Sequence, residues 1–100
     1  MGIYVDSLRR LSRAQRRKIP ERHHGKLWCH LVADSERELH EFAESIGLGR
    51  FAFHERAVIP HYDITEQMRT KALEAGAHDI DPASLNEMLR SMLAARRGGA

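Results

Sequence analysis

Seven residues constrain this chain more than any others. Leu27-Trp28-Cys29-His30-Leu31-Val32-Ala33 form a nearly continuous apolar run broken only by His30. The run has the length of a strand, and its apolar character on both faces predicts a central strand buried inside a parallel sheet. A helix follows directly. Asp34 or Ser35 is placed to cap it, and Ser35 and Glu38 have capping-box spacing. Leu39, Phe42, Ala43 and Ile46 then recur at the helical period until Gly47 supplies a stop.

Shorter signals flank this unit. Ile3-Tyr4-Val5-Asp6, Arg50 to His54 and Ala77 to Ile80 read as three more strands. A second helix is predicted from His61-Tyr62-Asp63 onward, with Asp63 as its cap and Glu66 three residues later. Ile64, Met68, Ala72 and Ala75 make its apolar face, and Gly76 ends it. Asp81-Pro82 opens a last helix with the strongest amphipathic stripe of the chain, Leu85, Met88, Leu89, Met92 and Leu93. Strands alternating with helices predict a small single α/β domain over residues 1–97, with a frayed tail at 98–100. Its expected core is a short, mostly parallel sheet of about four strands with three helices, joined by right-handed crossovers. The first connection is also compatible with an antiparallel excursion.

Composition narrows the class. In 100 residues, 42% hydrophobic and 30% charged side chains fit one globular domain with a modest core and do not fit a disordered chain. Cys29 is the only cysteine, so no disulfide can form within the chain, which suits a reducing compartment. With no apolar run long enough for a signal peptide or a membrane span, the expectation is a cytoplasmic protein without a membrane partner.

Charge is distributed unevenly. Between Arg9 and Lys26 eight basic residues face one acidic residue, Glu21, giving +7 there and −5 over the rest of a chain whose net charge is +2. Pro20 and Gly25 limit any helix in this segment, so it reads as a basic loop, 9–26, inserted into the domain. Such a segment is either solvated surface or a footprint for a polyanion. Arg13, Arg16 and Arg17 are the candidates for nucleic-acid phosphates. Trp28, the one nearby aromatic, looks buried, which argues against base stacking.

In a parallel sheet the strand ends share one rim, where ligands bind. Asp6, Asp34, His54, His61 and Asp63 would then converge there. Two roles fit such a cluster. Asp6, His61 and Asp63 could ligate a divalent metal. Alternatively, His30, His61 and Asp63 could carry acid–base catalysis. Arg69, Tyr62 and His40 are candidate ligand-binding residues, and the guanidinium suits a phosphorylated or nucleotide-like ligand. Bland readings stand beside these: capping accounts for Asp34 and Asp63, His30 fits a hydrogen-bonded core residue, and Cys29 fits a buried inert thiol. The stripe of the last helix is core first and a homodimer contact second.

The blocks Ile3-Tyr4-Val5-Asp6, Trp28-Cys29-His30-Leu31-Val32-Ala33-Asp34, Glu38-Leu39-His40-Glu41-Phe42-Ala43 and His61-Tyr62-Asp63, continued through Arg69 and Ala75-Gly76-Ala77, resemble a family of short bacterial and phage proteins. That family is catalogued only as a domain of unknown function. The resemblance implies a cytosolic bacterial or phage protein and no particular reaction. It draws attention to Asp6, His30, Asp34, His40, His61, Tyr62, Asp63 and Arg69. Two functions follow for testing: a metal- or anion-binding protein or hydrolase-like enzyme with a His/Asp site, and a non-catalytic nucleic-acid or protein-interaction module built on segment 9–26.

Overall fold

The computed structural model describes residues 2–55 and 59–98, with side chains described as far as residue 95. The apolar run is the central strand β3 (Leu27–Ala33). On one side it pairs with β1 (Ile3–Val5) and then β2 (Arg9–Arg10), and on the other with β5 (His61–Thr65). β4 (Phe53–His54) adds to the β5 edge, and β6 (His78–Asp79) to the β1 edge. The helices are α1 (Arg13–Arg17), α2 (Glu36–Ser45), α3 (Glu66–Glu74) and α4 (Pro82–Gly98).

The sheet is mixed and largely antiparallel, which corrects the expectation of mostly parallel strands. β1, β2 and β5 all run antiparallel to β3, and β4 runs antiparallel to β5. Among the described residues only β1 and β6 pair in parallel. The helical crossovers do exist, since β3–α2–β4 and β5–α3–β6 each join strands that point the same way. They are interleaved, however: β5 lies between β3 and β4, while β3 and β1 lie between β5 and β6. Each crossover skips its nearest neighbour, so adjacent strands oppose everywhere except at the β1–β6 pair.

The missing element was β5. His61-Tyr62-Asp63 is not the start of a helix, and Asp63 caps nothing. Tyr62 and Ile64 are buried while His61, Asp63 and Thr65 are only partly covered, the period of two that marks a strand. The cap is Thr65, whose hydroxyl accepts the Met68 N–H at 3.4 Å. In the same way Ser35, not Asp34, caps α2 by accepting the Glu38 N–H. Asp81 caps α4, accepting the Ser84 N–H at 2.8 Å.

One face of the sheet is the core. Val5, Cys29, Leu31, Ala33, Tyr62 and Ile64 meet Leu39, Phe42 and Ala43 of α2 and Ala72 of α3. Tyr4, Asp6, His30, His61 and Asp63 project from the opposite face, as side-chain alternation requires. The α4 stripe is only half-buried and contributes nothing to the main core cluster. A cleft of about 520 Å³ opens between Ser84, Met88 and Ser91 of α4 and Tyr4, Asp34 and His78. The helix reaches Gly98, so of the tail expected to fray, residues 99–100 lie outside the described residues.

Segment 9–26 is not a plain loop. Ser12 and Gln15 form a complete capping box that starts α1, and a turn of 3₁₀ helix follows at Glu21–His23. That box, at Ser-x-x-Gln spacing, was visible in the sequence.

Both helix-ending glycines hold positive φ, 78° at Gly47 and 108° at Gly76. A Cβ at either would meet nothing within 4 Å, so only backbone strain opposes a side chain there. Gly76→Ala should therefore cost about 1–3 kcal/mol in urea unfolding. A cost near zero would mean that the turn relaxes.

Candidate metal centre

The polar face of the sheet gathers its imidazoles and carboxylates by cross-strand register. β3 presents His30 opposite Asp63 of β5, and residues paired in this way point to the same face. Two residues back along β5 lies His61, on that face too. Asp6, just beyond β1, reaches His30 from the other side.

Asp6 is nearly buried and spends both oxygens on one residue. Oδ1 accepts the His30 backbone N–H at 2.6 Å, and Oδ2 lies 2.7 Å from His30 Nδ1. An ionised carboxylate can only accept, so Nδ1 carries a proton; Nε2 meets the Arg9 guanidinium, which can only donate, so its lone pair points away from Asp6. Burial pushes the Asp6 carboxyl up, but the His30 ring and backbone hydrogen bonds outweigh it and hold the group below its ordinary 3.8.

His61 is fixed similarly. Its Nδ1 donates to the Ile59 carbonyl at 2.9 Å, and Nε2 lies 3.3 Å from Asp63 Oδ1. Both ring nitrogens thus face acceptors, an arrangement that requires a proton or a metal ion on Nε2. Burial lowers the His61 pKa, but the hydrogen bond with Asp63 and then that with Ile59 overcome it, and the net direction is upward from 6.5. For Asp63, burial raises the carboxyl while the His61 hydrogen bond and the field of His54 lower it, with a net downward direction from 3.8. Asp63 Oδ2 also receives His54 Nε2 at 2.7 Å.

Ligand atoms from His30, His61 and Asp63 all lie within 4.8 Å of one another. His30 Nε2 is 3.8 Å from Asp63 Oδ1. Tetrahedral bonds of about 2.0–2.1 Å would set such atoms about 3.3 Å apart, so modest side-chain rotation closes the set. Two imidazoles and one carboxylate suit zinc and its first-row neighbours better than magnesium or calcium, which favour oxygen. Both histidines have their other nitrogen anchored, by Asp6 and by the Ile59 carbonyl, as metal-binding histidines require.

Arg9 also enters the site. Pairings shift by one residue between β1 and β2: Val5 stands opposite Leu31, but Arg9 opposite Trp28. The extra residue is a bulge around Ser7 and Leu8. It turns Leu8 toward the core and places Arg9 on the His30 face, where its guanidinium contacts the His30 ring. Nothing in the local sequence distinguishes Arg9 from the other arginines of its segment.

Other candidates lie elsewhere. Tyr62 points into the core, where its hydroxyl bonds His40 Nδ1 at 2.7 Å, and His40 Nε2 is 3.2 Å from Glu36. Arg69 is occupied by the Asp6 carbonyl and the Asp79 carboxylate, both at 3.0 Å. Arg13, Arg16 and Arg17 project from the exposed surface of α1. Asp34 is exposed at the opposite end of β3 from Leu27. Cys29 is buried on the core face, and burial pushes its thiol up to about 12.

The charges predict a stability optimum. Asp6 and Asp63, with lowered pKa values, contribute stability that is present above about 3.8 and lost as pH falls through their folded values. His61, with a raised pKa, contributes stability that is present below 6.5 and lost as pH rises through its folded value. His61 and Asp63 are partners, so theirs is one shared contribution. The melting temperature should peak between these limits, and Asp63→Asn should flatten both sides of the curve. An unchanged profile in that variant would remove the ion pair from the account.

A family model described as Protein of unknown function (DUF4031) matches residues 3–92, so the chain belongs to that family. No curated protein and no solved structure matches it.

Proposed function

We propose that this DUF4031 chain binds one divalent transition-metal ion, of the zinc type, through His30 Nε2, His61 Nε2 and Asp63, and uses it as a Lewis acid in a hydrolytic reaction. One observation carries the reading: three ligand atoms converge on one sheet face, and each histidine is held from behind by an acceptor that turns its Nε2 toward the others. Three protein ligands leave the remaining position for water or substrate, the pattern of catalytic rather than structural sites. Arg9 must swing off His30 as the ion enters. It is exposed and can then meet an anionic substrate.

A reducing setting such as the cytoplasm of a bacterium or of a phage-infected cell suits the chain, because its one thiol is buried and nothing depends on a disulfide. No helix among the described residues is long and apolar enough to cross a membrane.

Cobalt(II) titration of untagged protein tests the proposal. The expected result is one equivalent bound, with absorption bands of a four- or five-coordinate ion, displaced by zinc. Binding should release about one proton per ion below the raised His61 pKa, because the ion takes the place of the proton on Nε2. No saturable cobalt binding at neutral pH would end the metal reading.

A further inference from the structure

We infer that the substrate of this centre is the phosphodiester backbone of a nucleic acid, gripped by segment 9–26 and led to the metal by Arg9. The inference rests on the metal reading above. What the sequence offers as two rival sites, the structure joins into one surface.

The joint is β2. Its pairing with β3 at Arg9↔Trp28 fixes the basic segment two residues from His30, which is about 7 Å along a strand. The bulge then turns Arg9 onto the face that carries the ligands, in contact with the His30 ring. From there the chain continues into α1, where Arg13, Arg16 and Arg17 are all exposed. Among the described residues, none of the eight basic side chains in 9–26 has a carboxylate within 4.0 Å. Arg37 and Arg69, in contrast, are both paired. Cations without carboxylate partners along a continuous stretch leading up to a metal centre match a ligand with many phosphates more closely than a small monoester, which two or three donors would satisfy.

The reaction balances with water alone. Its oxygen bonds to phosphorus and the bond from phosphorus to one ester oxygen breaks. The water proton passes by way of solvent to the departing alkoxide, leaving a phosphate monoester and an alcohol.

The test uses the full chain loaded with zinc or manganese and short fluorescein-labelled RNA, single-stranded DNA and duplex DNA. Binding is followed by anisotropy and cleavage on denaturing gels, with EDTA controls. Affinity for at least one of the three should fall roughly 50-fold or more between about 50 and 200 mM salt. The triple variant R13A/R16A/R17A should keep its cobalt spectrum while its salt slope shrinks by about 2–3. Metal-dependent fragments should appear for the nucleic acid that binds. Absent or salt-insensitive binding overturns the inference, as does an unchanged slope in the triple variant, or tight binding with no cleavage. Loss of cobalt binding by the parent protein would sink the metal reading itself. Cobalt binding without engagement of nucleic acid would sink only the substrate.

Discussion

His61→Ala is expected to weaken divalent-metal binding by more than about 100-fold, and Asp6→Asn by about 10–100-fold, although Asp6 lies outside the proposed ligand set. His61 is one of the three proposed ligands, so its removal leaves only His30 and Asp63 to hold an ion. The Asp6 effect works through a proton. The His30 backbone N–H donates to Asp6 Oδ1, which would fix the oxygen of an asparagine at that position. The amide NH₂ would then face His30 Nδ1, where only an acceptor fits. The imidazole responds by moving its proton to Nε2, the atom needed for the metal. A similar inversion follows loss of the orienting aspartate in serine proteases. Because the asparagine keeps its shape and its backbone hydrogen bond, the fold should survive. Zinc competition against a chromophoric chelator measures both variants, and circular dichroism checks folding. Full affinity in Asp6→Asn would show that His30 does not bind through Nε2.

Leu31→Ala should cost about 3–5 kcal/mol, a large part of the roughly 5–15 kcal/mol available to a domain of this size. Leu31 is fully buried at the middle of β3, between Val5 and Tyr62 in the sheet register. Its removal leaves a cavity in the main core cluster, which holds the sheet against α2 and α3. Leu89 provides the contrast. It lies on the half-buried stripe of α4, outside that cluster, so Leu89→Ala should cost less than about 1.5 kcal/mol. Urea unfolding separates the two. Equal costs would place α4 within the cooperative core.

These two experiments probe opposite faces of the same sheet. Cys29 and Leu31 point into the core and His30 points away from it, so neighbouring residues of β3 serve different properties. Local helix signals were legible at α2 and α4 and at the glycine stops, whereas the Ser12 box of α1 and the Thr65 cap of α3, equally local, were passed over. The Ser35 cap, the Gly47 and Gly76 stops and the Asp81 start each depend on residues within one turn. The candidate centre was only half legible. Histidine and aspartate at alternate positions, as in His61-x-Asp63, mark one face of a strand, but the same three letters also look like a helix start. Reading them so removed β5 and made the sheet parallel.

Local chemistry therefore determined that this chain has a buried central strand, capped helices, a basic stretch and a stock of imidazoles and carboxylates. Tertiary structure alone decided which of these meet. The antiparallel register of β3 with β5 sets His30 opposite Asp63, and a one-residue bulge carries Arg9 to the same face. Such pairings join residues tens of positions apart. Their energy comes from burying the far side of the sheet, so no short window of sequence contains them.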